Sequence, residues 1–388
     1  MSKENSAIVV GFDAKRIVKN QTGLGNYSRY IVETLARYAP EVTQLLSTAE
    51  VGKKELYESL LAYSQVKLVL PPSSIFNRMP YFQAYWRNKG ALPQLRGKGM
   101  TIYHGLSNEL PSDITTLDVP SVVTMHDLIY ERFPQFYSPV DVKLYRHKYE
   151  RSCREATHII AVSECTKRDL IEIYKIPENK ISVIYQGCAG IFRKRLTPFQ
   201  IDKVTGEYLL PSEYILTVGT VEERKNAGLI VEALSKMKNS IIPLVIVGRE
   251  TKYAYKVKQI AHRLGVEHRL IFLEGVPSQD LPAMYQGASL FVYPSLYEGF
   301  GIPVLEALCS RIPVIAATGS CLEEAGGPHS LYCNPKDADD LAQLMDRALE
   351  DEELRKKMIA EGEEWSKKFL PEHTAVQLTE LYRTLQQQ

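Results

Sequence analysis

Two carboxylates eight residues apart, Glu298 and Glu306, bracket the stretch Tyr297-Glu298-Gly299-Phe300-Gly301-Ile302-Pro303-Val304-Leu305-Glu306. An apolar run, Ser289-Leu290-Phe291-Val292-Tyr293, precedes it and reads as a buried strand, whereas Ala307-Leu308-Cys309 beyond it reads as helix. At such a strand–loop–helix junction Gly299 and Gly301 let the backbone approach a ligand closely. The helix start beyond them turns unpaired N–H groups and a positive dipole end outward, which suits an anion. Either acid taken alone reads as an ordinary solvated residue. Glu306, however, lies in an otherwise apolar helical run, where a buried acid needs a partner such as a ribose hydroxyl.

Further candidates stand at the ends of other strands. Tyr214-Ile215-Leu216-Thr217-Val218-Gly219 is a strand leading into Thr220-Val221-Glu222-Glu223-Arg224-Lys225-Asn226. Arg224 offers a planar fork and Lys225 a compact charge, a pair that suits a diphosphate; the alternative is a solvated loop offset by Glu222 and Glu223. The strand 119–125 delivers His126-Asp127 at its C-terminal end, the edge where open parallel sheets bind ligands; the alternative is a histidine satisfied by packing. Gly23-Leu24-Gly25-Asn26 leads into a helix with Tyr27, Ile31, Leu35 and Tyr38 at helical spacing. It lacks the third glycine of a dinucleotide fingerprint and begins nine residues after the first strand, Ala7 to Asp13, so a nicotinamide oxidoreductase is disfavoured. A phosphate- or acceptor-facing glycine loop and a plain helix turn both remain open. Asp337-Ala338-Asp339 follows Asn334-Pro335 and reads as a helix cap rather than a metal site.

These positions need a scaffold of alternating strands and helices. Strand candidates recur at 66–70, 101–104, 119–125, 157–162 and 181–187, then at 214–219, 243–248, 269–273, 289–293 and 313–317. Strands separated by helices of 10 to 15 residues imply right-handed βαβ units and a parallel sheet. The spacing predicts an α/β chain of two Rossmann-like domains, 1–190 and 213–370, whose parallel sheets face a central cleft, with a linker at 191–212 and a final helix at 371–388, where Val376, Leu378, Leu381 and Leu385 are apolar.

Composition is that of a globular protein: 388 residues, 45% hydrophobic and 24% charged, with a net charge of +1. The longest apolar runs fall short of the ~20 residues that cross a bilayer, and the first is short for a signal peptide, so a cytoplasmic protein is expected. Six cysteines without a C-x-x-C pair suit reduced thiols. Residues 1–195 carry 27 Lys+Arg against 19 Asp+Glu and the remainder 20 against 27, so the first half is the basic one. No nucleic-acid module is recognisable. An anionic acceptor or anionic lipid headgroups near the first domain therefore fit better, peripheral contact at the inner membrane face being one form of this; the alternative is simple attraction between the two halves. The aromatic and basic segment 76–89 reads either as such a contact or as an amphipathic helix packed on its own domain.

The E-x7-E pattern with its Gly-Phe-Gly-x-Pro interior, the R-K-N after Val-Gly, and Pro313-Val314-Ile315-Ala316 together resemble family 4 retaining glycosyltransferases, specifically mannosyltransferase-like members, which have the GT-B fold. The resemblance implies a metal-independent enzyme needing no cofactor, with a nucleotide sugar as substrate (GDP-mannose, then a UDP-sugar) and a glycan or lipid-linked saccharide as acceptor. By the same resemblance 1–190 is the acceptor-side domain, 213–370 binds the nucleotide sugar, and the last helix crosses back to the first domain. It makes His126, Arg224, Lys225 and Glu298 the catalytic set. Gly23, Gly25 and Gly219 would line the donor phosphates, Val276 would read the base through its backbone, Glu298, Gly299, Phe300 and Gly301 would hold the sugar, and Glu306 the ribose. Thr220 departs from the pattern, since many members carry Arg there. A sugar-nucleotide epimerase or phosphorylase on the same fold, and a non-catalytic nucleotide-sugar-binding protein, are the alternatives.

Overall fold

The computed structural model describes residues 7–72 and 80–387. It divides into two compact units, one of residues 1–186 with 369–388 and one of residues 187–368. The first unit is built on seven strands: β1 (Val9–Asp13), β2 (Thr43–Ser47), β3 (Val66–Val69), β4 (Ile102–Gly105), β5 (Ser121–Met125), β6 (His158–Ala161) and β7 (Ile181–Val183). Their order is β3-β2-β1-β4-β5-β6-β7, and every pairing is parallel. Val10, Phe12, Ile102, Val122, Val123, Ile159 and Ile160 are buried, as expected of a sheet covered on both faces by helices.

The helix Gly23–Tyr38 covers this sheet with Tyr27, Ile31 and Leu35, as their spacing predicts, whereas Tyr38 is exposed. It packs against the helix Pro371–Gln386, which belongs to the first unit. Of the apolar residues expected to cover that last helix, Leu378 and Leu385 are buried, Leu381 is half-buried, and Val376 is not. Ala375 and Tyr382 are buried beside them, the polar-tipped tyrosine reaching a buried partner. The Tyr382 hydroxyl lies 2.7 Å from His104 Nδ1, His104 Nε2 lies 2.8 Å from Thr124 Oγ1, and Thr124 Oγ1 lies 3.2 Å from the Tyr27 hydroxyl.

The aromatic and basic segment falls partly outside the described residues, since 76–79 are not described. Of the rest, Trp86 is buried against Ala49 and Ala91, so this ring is core rather than a surface anchor, while Tyr81 and Tyr85 are exposed.

The second unit carries β8 (Ile215–Val218), β9 (Leu244–Val247), β10 (Leu270–Leu273), β11 (Leu290–Tyr293), β12 (Val314–Ala317) and β13 (Leu331–Cys333) in the order β10-β9-β8-β11-β12-β13, again all parallel. The segment expected to be a linker is structured. Thr197 and Gln200 form a capping box that starts the helix Pro198–Glu207, which packs on the helix Leu281–Gly287. Asp337 caps the helix Ala338–Glu350 by accepting from the Asp339 and Asp340 N–H groups, which accounts for the D-x-D spacing. All six cysteines are free and buried.

In both sheets the winding reverses once, between β1 and β4 in the first unit and between β8 and β11 in the second. Ligands of open parallel sheets bind outside the carboxyl ends of the strands at such a reversal.

Tyr382→Phe keeps the ring but leaves a buried ring nitrogen of His104 without its partner. Denaturant unfolding of this variant is expected to show a loss of about 1–3 kcal/mol.

Candidate active site

The reversal between β8 and β11 places two charged loops side by side. The loop after β8 contains Gly219 and residues 220–226; the loop after β11 contains residues 294–301. Gly219 adopts φ +148°, and a side chain there would point at Lys225 and the Tyr293 ring. Asn226, at φ +60°, closes the short turn Glu223–Lys225 and donates to the Pro294 and Pro335 carbonyls at 3.1 and 2.8 Å. The Arg224 carbonyl accepts from the Leu296 N–H at 2.9 Å and the Ser295 hydroxyl at 3.1 Å. The two loops are thus stitched through backbone before any side-chain charge is counted.

Glu298 is the centre of the charged cluster. Its carboxylate accepts from Lys225 Nζ at 2.6 Å, Arg224 at 2.7 Å, the Ser295 hydroxyl at 2.8 Å and the Tyr293 hydroxyl at 3.0 Å. Lys225 also bonds the Tyr293 hydroxyl. Arg224 donates further to the Tyr297 carbonyl at 2.6 Å and to Glu222 at 2.7 Å. Burial alone would push the Glu298 carboxyl up, but the facing Lys225 and Arg224 charges outweigh it and hold it at about 2. Burial likewise works against the Arg224 charge, and Glu298, Tyr293 and Glu222 around it more than compensate, raising its pKa.

Glu306 is tuned the other way. It lies within the helix Ile302–Cys309, whose first turn contains Pro303 and whose cap is Gly301 at φ +121°. Its carboxyl accepts from the Tyr285 hydroxyl at 2.9 Å. A window to solvent remains, yet protein encloses most of the group. Burial raises its pKa to about 8, reinforced by Cys309 and opposed by the Tyr285 bond. One acid of the signature is therefore held ionised and paired, while burial favours the protonated form of the other.

In the first unit His126 leaves the end of β5. Its backbone N–H donates to Asn108 Oδ1 at 2.7 Å, and its Nε2 lies 2.9 Å from the Leu106 carbonyl. A carbonyl only accepts, so Nε2 carries the proton and Nδ1 is the basic nitrogen of a neutral ring. Burial lowers its pKa to about 4. Tyr27 packs edge-on against it with centroids 4.5 Å apart. The neighbouring Asp127 accepts from the Ile129 N–H and so shapes the turn.

Gly23 and Gly25 are not in a loop; they form the first turn of the helix Gly23–Tyr38. A side chain at Gly25 would strike the Asn20 carbonyl at 2.0 Å, so close packing onto the preceding segment accounts for this glycine, while Gly23 faces open space. Val276 lies in the irregular segment after β10, the edge strand of its sheet. Phe300 is buried in the loop between Glu298 and Gly301. The structure thus gathers Gly219, Arg224, Lys225 and Glu298 into one cluster and gives Glu306 a separate partner. The sequence reasoning missed Tyr293, Ser295 and Tyr285, and it named Glu222 only as a charge offsetting the Arg224–Lys225 pair, where the structure pairs it with Arg224. The first two had a signal in their place at the end of the strand that carries the signature; Tyr285 had none.

The Glycosyl transferases group 1 family model matches residues 206–365, and the Glycosyltransferase Family 4 model matches residues 22–188. The O-antigen chain mannosyltransferase B of Escherichia coli is 27% identical over 376 residues, spanning 92% of this chain and 97% of that protein. Among solved structures, sucrose-phosphate synthase from Thermosynechococcus elongatus superposes with a TM-score of 0.77 at 19% identity, covering 97% of this chain and 99% of that one. Anabaena HepE in complex with UDP gives 0.72 at 16% identity, with 96% and 99% covered. Two all-parallel sheets and these matches make the chain a glycosyltransferase of GT-B architecture. Within that class it belongs to the family 4-like glycosyltransferases, as its signature residues led us to expect.

The pH dependence follows from the two acids. Glu298 has a folded pKa below its ordinary value of 4.5, so its ionisation contributes stability above 4.5 that is lost as pH falls towards 2. Glu306 has a raised folded pKa, so the folded protein keeps a proton that the unfolded chain releases, and stability declines as pH rises from 4.5 through about 8. Glu306→Gln removes that dependence. Denaturant midpoints of variant and wild type are expected to diverge in favour of the glutamine variant between pH 5 and 9.

Proposed function

We propose that this chain is a retaining, metal-independent hexosyltransferase that moves mannose from GDP-mannose, a UDP-sugar being the alternative donor, to a saccharide or lipid-linked saccharide acceptor in polysaccharide biosynthesis. The observation that carries the reading is the buried cluster of Arg224, Lys225 and Glu298 beside the Gly299–Gly301 loop, at the one reversal of the second sheet. Mannose is supported by the relative of similar length, itself a mannosyltransferase. UDP as an alternative is supported by the UDP complex of HepE.

The chemical demand is stabilisation of the nucleoside diphosphate as its bond to the anomeric carbon breaks. Lys225 spends two N–H donors on Tyr293 and Glu298, which leaves capacity for a phosphate oxygen. Arg224, spread over Glu222, Glu298 and Tyr297, holds the loop and adds fixed positive charge. Both are set in place before the donor arrives, so no reorganisation accompanies the step. The start of the helix Ile302–Cys309 contributes its dipole on the same side of the junction. Transfer proceeds on the donor's own face, the departing phosphate taking the acceptor proton, and needs no protein nucleophile. His126, neutral through the physiological range, orients the sugar; Glu298 and the backbone of 299–301 hold it; Gly219 lies beneath the diphosphate, Val276 meets the base and Glu306 the ribose.

The protein needs no cofactor in this reading. Asp337 and Asp339 serve as helix cap and as partner of Lys236, at 2.5 Å, rather than as metal ligands. No helix among the described residues is long and apolar enough to cross a membrane. We place the enzyme in the cytoplasm, with its basic first unit towards an anionic acceptor or membrane face.

Mass-spectrometric assay with GDP-mannose or UDP-sugars and a saccharide acceptor, in excess chelator, is expected to show transfer, and NMR of the product is expected to show retained anomeric configuration. Lys225→Ala should lower it about 10²- to 10³-fold, and Arg224→Ala comparably, the order seen for loss of one preorganised charge-stabilising donor. Sugar inversion without acceptor would identify an epimerase, dependence on inorganic phosphate a phosphorylase, and binding without turnover a sensor.

Ribose hydroxyls donate to a carboxylate, so nucleotide binding should favour the ionised form of Glu306. Calorimetry of nucleoside diphosphate at pH 7 in buffers of different ionisation enthalpy is expected to show release of most of one proton, and Glu306→Gln should abolish it.

A further inference from the structure

Cys321 occupies the cap position of the short helix Leu322–Gly326, yet its side chain does not cap that helix. The thiol is turned instead to the signature loop, with Sγ 3.0 Å from the Glu298 carbonyl oxygen and 2.9 Å from the Phe300 carbonyl oxygen. The residue is fully buried. Two carbonyl oxygens present only lone pairs, so the sulfur between them must be a protonated thiol sharing its hydrogen. A thiol's long C–S bond lets one donor sit between two acceptors that belong to alternate residues.

The consequence follows from peptide geometry. In a trans peptide the C=O and the following N–H point in opposite directions. Both carbonyls are turned to Cys321, so the N–H groups of Gly299 and Gly301 are turned to the other side of the loop. One side chain thereby fixes two of the three peptide planes between Glu298 and Gly301. The same loop is pressed against this helix at Gly301, where a side chain would meet Leu322 at 2.8 Å and Ala325 at 3.2 Å. On its other flank it is tied to Arg224 through Leu296, Ser295 and Tyr297.

We propose that Cys321 is a positioning residue for sugar transfer: its thiol sets the peptide planes of the Glu298–Gly301 loop and so holds that loop in the shape that meets the donor sugar. This rests on the reading that the loop holds that sugar. Cys321 lies outside the charged cluster and acts only through the loop, so its removal should alter transfer while sparing recognition of the nucleotide.

The test compares Cys321→Ala, which deletes the donor, with Cys321→Ser, which keeps one on a shorter arm. With the nucleotide sugar that the wild type uses, the alanine variant is expected to lose about tenfold in kcat/KM. The serine variant should stay within about threefold of wild type, and both should bind nucleoside diphosphate within about twofold of wild type. Hydrogen–deuterium exchange of the peptide spanning 296–303 is expected to quicken in the alanine variant and not in the serine variant, a readout that needs no turnover. Equal losses in the two variants, a parallel loss of diphosphate affinity, or unchanged exchange in the alanine variant would each overturn the proposal. A wild type that transfers no sugar while the exchange contrast holds would overturn the functional reading alone.

Discussion

The second unit depends on one buried electrostatic arrangement, a carboxylate held between an ammonium and a guanidinium across two loops. Bringing Glu298, Arg224 and Lys225 out of water is costly, and their mutual attraction repays it only because hydroxyls from Tyr293 and Ser295 satisfy the remaining lone pairs. Strand order makes the arrangement reachable at all. If β8 and β11 were not neighbours, the loops that carry the charges would leave the sheet apart from one another. The ion cluster in turn dictates local backbone: Gly219 and Asn226 adopt positive φ so that the chain can turn Lys225 back towards Tyr293.

The two acids of the signature illustrate how environment divides labour between identical side chains. Glu298 meets two cations and stays charged far below neutrality; Glu306 meets a tyrosine hydroxyl within an apolar helix and resists ionisation. One is a permanent anion that orders the protein's own cations. The other is a group whose charge state is open to change by whatever binds it.

Much of this was legible because the informative patterns were local. Buried β-branched runs marked most of the strands, and the positions of Arg224, Lys225, Glu298 and His126 at strand ends followed from periodicity alone. The strands β2 and β13 escaped notice because Thr43–Ser47 is half polar and Leu331–Cys333 spans three residues, too short for a period to show. The two glycines at the start of Gly23–Tyr38 suited a loop as well as a helix turn, and only packing decides for the turn, Gly25 being there to let Asn20 approach. The capping box of Thr197 and Gln200 was present in the sequence, with Pro198 at the first helical position, inside the stretch expected to be a linker. Contacts distant in sequence, such as Glu298 with Lys225 or Tyr382 with His104, carry no local periodicity and emerge only from topology.

That last pair bears on how the polypeptide reaches its native state during synthesis. Residues 369–387 follow the whole of the second unit in sequence, yet Ala375, Leu378, Tyr382 and Leu385 are buried in the first. A ribosome therefore finishes all of the second unit's strands before the first unit receives its final helix. Until then His104 waits in the interior without the hydroxyl it faces, and the helix Gly23–Tyr38 without its neighbour. The unit translated first is the one completed last, which makes the emerging amino-terminal half a natural client for chaperones that shield apolar surface.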